Sequence, residues 1–127
     1  MKNVQFIIES LKSLKEVGTI FPSSKFVVEK MVGPINFKKK LTILELGSGS
    51  GVITKELLEK MSCDSQLICF ETNKKFYQEL KKINDKKMIL INESAEKIKS
   101  YLDEFEIKKI DYIVSSLPLV SLPKETT

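Results

Sequence analysis

The stretch Glu45-Leu46-Gly47-Ser48-Gly49-Ser50-Gly51 holds the densest group of residues able to do chemistry in this chain. It follows the apolar run Leu41-Thr42-Ile43-Leu44 and precedes a helix-like run from Val52 to Met61. A strand, a glycine-rich turn and a helix in that order make a place where backbone closely approaches a polar ligand. Glycine permits this because it lacks a Cβ and tolerates positive φ. The N-terminus of the following helix adds unpaired N–H groups. The ligand class implied is a nucleotide-type cofactor.

Spacing narrows that class. A Walker loop reads G-x-x-x-x-G-K-S/T, but Val52 and Thr54 stand where Gly47 and Gly49 would need a second glycine. A nucleophile elbow reads G-x-S-x-G, and neither Ser48 nor Ser50 has glycines at those offsets. A dinucleotide fingerprint reads G-x-G-x-x-G/A, and from Gly47 its last position is Val52. What remains is Glu-x-Gly-x-Gly-x-Gly, built from Glu45, Gly47, Gly49 and Gly51. A second carboxylate, Glu71, closes the next apolar run, where it can accept both hydroxyls of a ribose. Dinucleotide binders share an acid at this point.

Composition removes other chemistries. There is no histidine, and Cys63 and Cys69 do not form a C-x-x-C pair, so structural zinc and histidine catalysis are excluded and no metal is expected. The two cysteines read as free thiols of a reducing cytoplasm, Cys69 as a core residue. The net charge of +4 permits nucleic acid or an anionic membrane as a partner without requiring either. All 21 basic residues are lysines, which are poor at bidentate reading of bases, so sequence-specific nucleic-acid recognition is discounted. No signal peptide or membrane span is visible.

The elements that must position these residues alternate regularly from residue 41. Strands are expected at Leu41–Leu46, Gln66–Glu71, Lys87–Asn92 and Ile110–Ser116. Helices are expected at Gly51–Met61, Asn73–Asn84 and Ser94–Phe105. Phe76, Tyr77, Leu80 and Ile83 form the inner face of the second of these, and Ile98, Tyr101, Leu102 and Phe105 that of the third. Short continuous apolar strands between helices imply an α/β fold with a parallel sheet covered on both faces. Upstream, the spacing predicts a helix over Asn3–Val17. A second runs from a cap at Ser23 or Ser24 through Met31, ending near Gly33-Pro34. The first has two readings: a cover over the cofactor cleft, or an interfacial helix with Lys2, Lys12 and Lys15 near anionic headgroups. The chain is expected to be one domain over 1–127, with a helical segment (1–40) and a Rossmann-like core (41–127). Because it stops at Thr127, soon after the fourth strand, the C-terminal half of the sheet is expected to be missing and the domain truncated.

The Glu45–Gly51 pattern resembles motif I of the class I S-adenosylmethionine-dependent methyltransferases. Gly18-Thr19-Ile20-Phe21-Pro22-Ser23-Ser24 is similar to the Gly-x-Ile-x-Pro-Ser-Ser stretch of the bacterial phospholipid N-methyltransferases, which methylate phosphatidylethanolamine. Asp111-Tyr112-Ile113-Val114-Ser115-Ser116-Leu117-Pro118-Leu119 resembles their Asp-x-x-x-Ser-Gly-Leu-Pro-Leu motif, and Ser121-Leu122-Pro123 its continuation. Two positions depart from the pattern. Glu93-Ser94-Ala95 stands where related enzymes carry Gly-Asp-Ala, and Ser116 stands where that family has glycine. The related ribosomal RNA adenine dimethylases carry Asn-Leu-Pro-Tyr after strand four, with the Tyr stacking on a flipped base. This chain has Ser116-Leu117-Pro118-Leu119, without the aromatic.

The resemblance implies a Rossmann-like sheet in the order 3-2-1-4 and S-adenosylmethionine as cofactor. It implies cofactor contacts from Glu45, Gly47, Ser48, Gly49, Gly51, Glu71, Thr72, Ser94 and Ala95, with Glu45 taking the amino group directly or through water. Acceptor positioning falls to Ser115, Ser116, Leu117 and Pro118, and the substrate side of the cleft to Phe21, Pro22, Ser23 and Ser24. The expected activity is N-methylation of a phosphatidylethanolamine-type phospholipid by an enzyme that is cytoplasmic and peripheral on the inner face of the membrane. The alternatives are an RNA adenine or small-molecule methyltransferase of the same fold, or a cofactor-binding fragment without catalysis.

Overall fold

Residues 25–115 are described by the computed structural model of the chain. Helix α1 spans Lys25–Val32, and strand β1 (Thr42–Leu46) leads through the glycine turn into α2 (Val52–Lys60). Then follow β2 (Gln66–Phe70), α3 (Lys74–Lys81) and β3 (Met88–Ile91). A 3-10 turn at Ala95–Lys97 opens α4 (Ile98–Glu104), and β4 spans Tyr112–Ser115. The strands form one sheet in the order β3-β2-β1-β4, every neighbouring pair parallel, as the sequence implied.

Side chains alternate across a strand, and β1 and β2 therefore feed two cores. Ile43 pairs with Leu67 in the ladder, and both join Cys69 and Val114 against Val28 and Val32 of α1 and Ile53, Leu57 and Leu58 of α2. Leu44, Leu46, Ile68 and Phe70 face the other way, onto Ile98 and Leu102 of α4 with Ile107 and Ile110. Both faces of the central strands are covered, which is why these strands read as unbroken apolar runs.

Some predicted boundaries and faces differ. The second core helix stops at Lys81 rather than Asn84, and Asn84 takes a left-handed φ of 51° as the chain turns toward β3. Only Leu80 of α3 is fully buried. Phe76 is 39% exposed rather than inward, because it lies in the first turn of a short helix, ahead of the residues that reach the core. The third helix begins as a 3-10 turn capped by Ser94 and becomes α-helical only at Ile98. Phe105 is 41% exposed. The helix ends there, Glu106 reverses the chain at φ 58°, and Ile107 takes the inward place with its N–H on the Leu102 carbonyl (2.8 Å). The helix predicted over Asn3–Val17, residues Phe21 to Ser24, and the Ser116-Leu117-Pro118-Leu119 stretch lie outside the described residues.

Register sets the site. Leu46 is level with Phe70 on one side and Ser115 on the other, and Phe70 is level with Ile91. The carboxyl ends of all four strands thus share one edge, where open α/β sheets bind ligands.

Candidate functional site

The glycine turn is hung from β2. Gly47 and Ser48 both donate to the Phe70 carbonyl (2.8 and 3.4 Å), and Gly51 N–H closes on the Ser48 carbonyl (3.0 Å). Gly49 and Gly51 hold φ of 59° and 92°, in the left-handed region that side chains disfavour. Their surroundings differ. A Cβ on Gly51 would sit 3.0 Å from Leu80 Cδ2, because α3 packs directly on the turn. A Cβ on Gly49 would meet nothing nearer than the Gly47 carbonyl at 4.0 Å. Gly51 is thus a packing glycine, whereas Gly49 fronts open space. No side chain caps α2, so its first-turn N–H groups have no side-chain acceptor.

Glu45 lies beneath this turn, 1% exposed. Its Oε1 accepts from Thr54 Oγ1 (2.6 Å), Ser48 Oγ (3.0 Å) and Cys69 Sγ (3.4 Å), while its buried Oε2 has no partner. Burial pushes its pKa up. The bonds from Thr54, Ser48 and Cys69 pull the other way, and the negative charge of Glu71 adds to the rise. Burial, followed by the Glu45 charge, holds the Cys69 thiol well above its ordinary range, so it is an inert core thiol rather than a nucleophile.

Glu71 closes the turn from the other side. Oε1 accepts from Gly49 N–H (2.7 Å) and Oε2 from Asn73 N–H (2.9 Å), while the Asn73 side chain caps α3 at Phe76 N–H (3.0 Å). An ionised carboxylate has about four lone-pair positions, so two remain for further donors. Thr72 beside it is exposed. Ser94 turns its hydroxyl onto Glu96 N–H (3.1 Å), and Ala95 packs against the second core.

The structure therefore brings Glu45, Gly47, Ser48, Gly49, Gly51, Glu71 and Thr72 into one hydrogen-bonded constellation. Ser94 and Ala95 sit at the neighbouring strand end, and Ser115 stands level with Leu46 just before the turn. Three contributors were not singled out from the sequence. Thr54 and Cys69 are the partners of Glu45, and Cys69 is its register mate on β2. Asn92 donates from Nδ2 to the Glu71 and Thr72 carbonyls (2.8 and 3.2 Å). The available signals were slight: a threonine on an apolar helix face, and a polar residue ending the run Met-Ile-Leu-Ile. Among the described residues no group of three or more His, Cys, Asp or Glu could hold a metal, and no helix is long and apolar enough to cross a membrane. A cavity of about 280 Å³ between α1 and α2 is lined by Glu29, Val32, Ile35, Phe37, Glu56 and Lys60 and includes none of these site residues.

Comparison with known proteins decides the family. The ribosomal RNA adenine dimethylase model matches residues 11–120. The chain belongs to the ribosomal RNA adenine dimethylase family. Within it, a ribosomal RNA small subunit methyltransferase A of Mesomycoplasma hyopneumoniae is 35% identical over 82% of this chain and 37% of its own length. An ornithine lipid N-methyltransferase of Singulisphaera acidiphila is 26% identical over 94% of this chain and 64% of its own. A crystal structure from Klebsiella pneumoniae, described as an O-methyltransferase, superposes with a TM-score of 0.58 at 15% identity. It covers 84% of this chain and 51% of the other, and it shows the shared fold. The chain thus spans less than two thirds of the length of these relatives.

The family's cofactor is S-adenosylmethionine, and the residues present fit it. Glu71 keeps lone pairs for ribose hydroxyls, the open side of Gly49 leaves room for a ligand against the backbone, and Glu45 holds an unpartnered carboxyl oxygen below the turn.

Proposed function

We propose that this chain is the cofactor-binding part of an S-adenosylmethionine-dependent N-methyltransferase acting on the primary amine of a phosphatidylethanolamine-type lipid headgroup. The observation that carries the lipid reading is the run Ser115-Ser116-Leu117-Pro118-Leu119 at the end of β4. Its first residue, Ser115, is level with Leu46, the residue before the glycine turn. It lacks the Asn and the stacking aromatic that a flipped base needs. The similarity to an ornithine lipid N-methyltransferase across 94% of the chain supports the same reading. The enzyme then works in the cytoplasm, peripherally on the inner face of the membrane.

The bound cofactor supplies a methyl group already activated on a sulfonium. What the chain must add is position rather than acid–base chemistry, since holding two reactants in near-attack geometry can remove up to about 7–11 kcal/mol of a barrier. Glu71 would hold the ribose and the Gly47–Gly51 backbone the methionine part, while Glu45 braces that backbone through Ser48 and Thr54. Ser94 and Ala95 border the adenine side. Carbonyls and the hydroxyl around Ser115, Ser116, Leu117 and Pro118 orient the acceptor nitrogen, and Phe21, Pro22, Ser23 and Ser24 form the acceptor's side of the cleft.

The matching family model and the 35% identical relative favour a second reading, an adenine amine in ribosomal RNA. Incubation with methyl-labelled cofactor separates the two. The lipid reading expects label in phosphatidylethanolamine vesicles and none in small-subunit RNA; label in RNA alone overturns it. Label in neither, from protein that binds the cofactor, assigns the chain to binding without transfer.

A further inference from the structure

The carboxamide of Asn92 has a placement that sheet formation does not require. The β2–β3 ladder ends with Phe70 level with Ile91, its last bond running from Glu71 N–H to the Ile91 carbonyl (3.0 Å). Beyond it the chain leaves the sheet to enter α3, and the Glu71 and Thr72 carbonyls have passed the end of the strand pairing. Asn92 supplies the donors for both, at 2.8 and 3.2 Å. An amide nitrogen carries two N–H groups, so one side chain can satisfy both carbonyls at once. The same Glu71 sends Oε1 to Gly49 N–H and Oε2 to Asn73 N–H. A continuous hydrogen-bonded path therefore crosses three strand ends, from Asn92 through the Glu71-Thr72 backbone and the Glu71 carboxylate to the glycine turn.

We propose that Asn92 is a positioning residue of the cofactor site, which fixes the Glu71-Thr72 backbone so that the Glu71 carboxylate meets the glycine turn and the ribose hydroxyls together. The proposal rests on the cofactor reading given above. Asn92 touches no ligand in this account. It acts through Glu71, whose two oxygens reach their partners only while the turn holds its height over the sheet edge. Register alone cannot set that height, because pairing has ended.

The test measures S-adenosylhomocysteine, and its 2′,3′-dideoxy counterpart, binding to the full chain by titration calorimetry. Asn92→Asp keeps the shape but turns a double donor into an acceptor facing two carbonyls. Asn92→Ala removes the donors without repulsion. Two lost hydrogen bonds predict affinity for S-adenosylhomocysteine lower by about tenfold to a hundredfold in Asn92→Asp, and by less in Asn92→Ala. The dideoxy ligand, which has nothing to offer Glu71, should change by less than about threefold in either variant. Unchanged affinity overturns the proposal. So does an equal loss for both ligands, or failure of both variants to fold, since each marks Asn92 as a general structural residue. Wild-type protein that is folded and binds neither ligand removes the cofactor reading itself, and the proposal with it.

Discussion

Glu45→Ala is expected to destabilise the chain by about 3 kcal/mol or more, a loss that chemical denaturation reads directly. Thr54 and Ser48 each donate a buried hydroxyl to the one oxygen Oε1, and leaving a buried donor unmet costs about 1–3 kcal/mol. The cavity left by the side chain adds to that loss. Glu45→Gln keeps an acceptor at this position but cannot ionise, and it isolates the pH dependence. In the folded chain the Glu45 carboxyl holds its proton more tightly than in the unfolded chain, because burial penalises the charged form. Once pH passes the ordinary value of 4.5, the folded state carries more bound proton than the unfolded state. Stability then falls with rising pH. Wild-type stability relative to Glu45→Gln should therefore be greatest below that value and decline as pH rises through the folded value. Denaturation midpoints of both proteins across that range check this. A difference that stays constant, or grows with pH, contradicts a Glu45 carboxyl raised by burial.

The second large effect separates two glycines. Gly51→Ala and Gly49→Ala both place a side chain at positive φ, at a cost of about 1–2 kcal/mol. At Gly51 the new methyl also meets Leu80 Cδ2 at 3.0 Å, so the Leu80 side chain must give by a few tenths of an ångström and stability should fall further. At Gly49 the methyl has room in the free protein, so stability should show little beyond the φ cost. That room is where the cofactor is expected, and a methyl there should weaken cofactor binding about tenfold or more, since every ~1.4 kcal/mol is a factor of ten. The pair thus predicts a crossed pattern, with Gly51→Ala losing more stability and Gly49→Ala losing binding out of proportion to stability. Thermal melts beside cofactor titrations measure it. Equal ratios of binding loss to stability loss in the two variants would show that Gly49 does not face the ligand.

The sheet was legible because four apolar runs separated by helical spacing leave few other arrangements, and Glu71 at the end of the second run marked the strand edge. The glycine turn was legible from its place between an apolar run and a helix-like run, and its cofactor class from the failed Walker and dinucleotide spacings together with the resemblance to motif I. Helix faces were less so. Phe76 and Phe105 satisfy the apolar period, yet one precedes the core-facing turn of its helix and the other gives up the inward place to Ile107. Nothing in a periodic pattern says where a helix starts to overlap the sheet. The Glu45 network was hidden for a different reason. Thr54 and Cys69 reach Glu45 only through strand register and the packing of α2, which bring together residues distant in sequence. Asn92 was hidden likewise, since its role depends on where the β2–β3 ladder stops.

The central claim is that the turn Gly47–Gly51, Glu45 and Glu71 together hold S-adenosylmethionine. Calorimetric titration of the folded chain with S-adenosylmethionine tests it most directly. The expected result is saturable binding at one site per chain, weakened about tenfold or more by Glu71→Gln, which loses the carboxylate charge that meets Gly49 and is proposed to meet the ribose. Folded protein that binds no S-adenosylmethionine, or that binds it equally well with Glu71→Gln, would contradict the account.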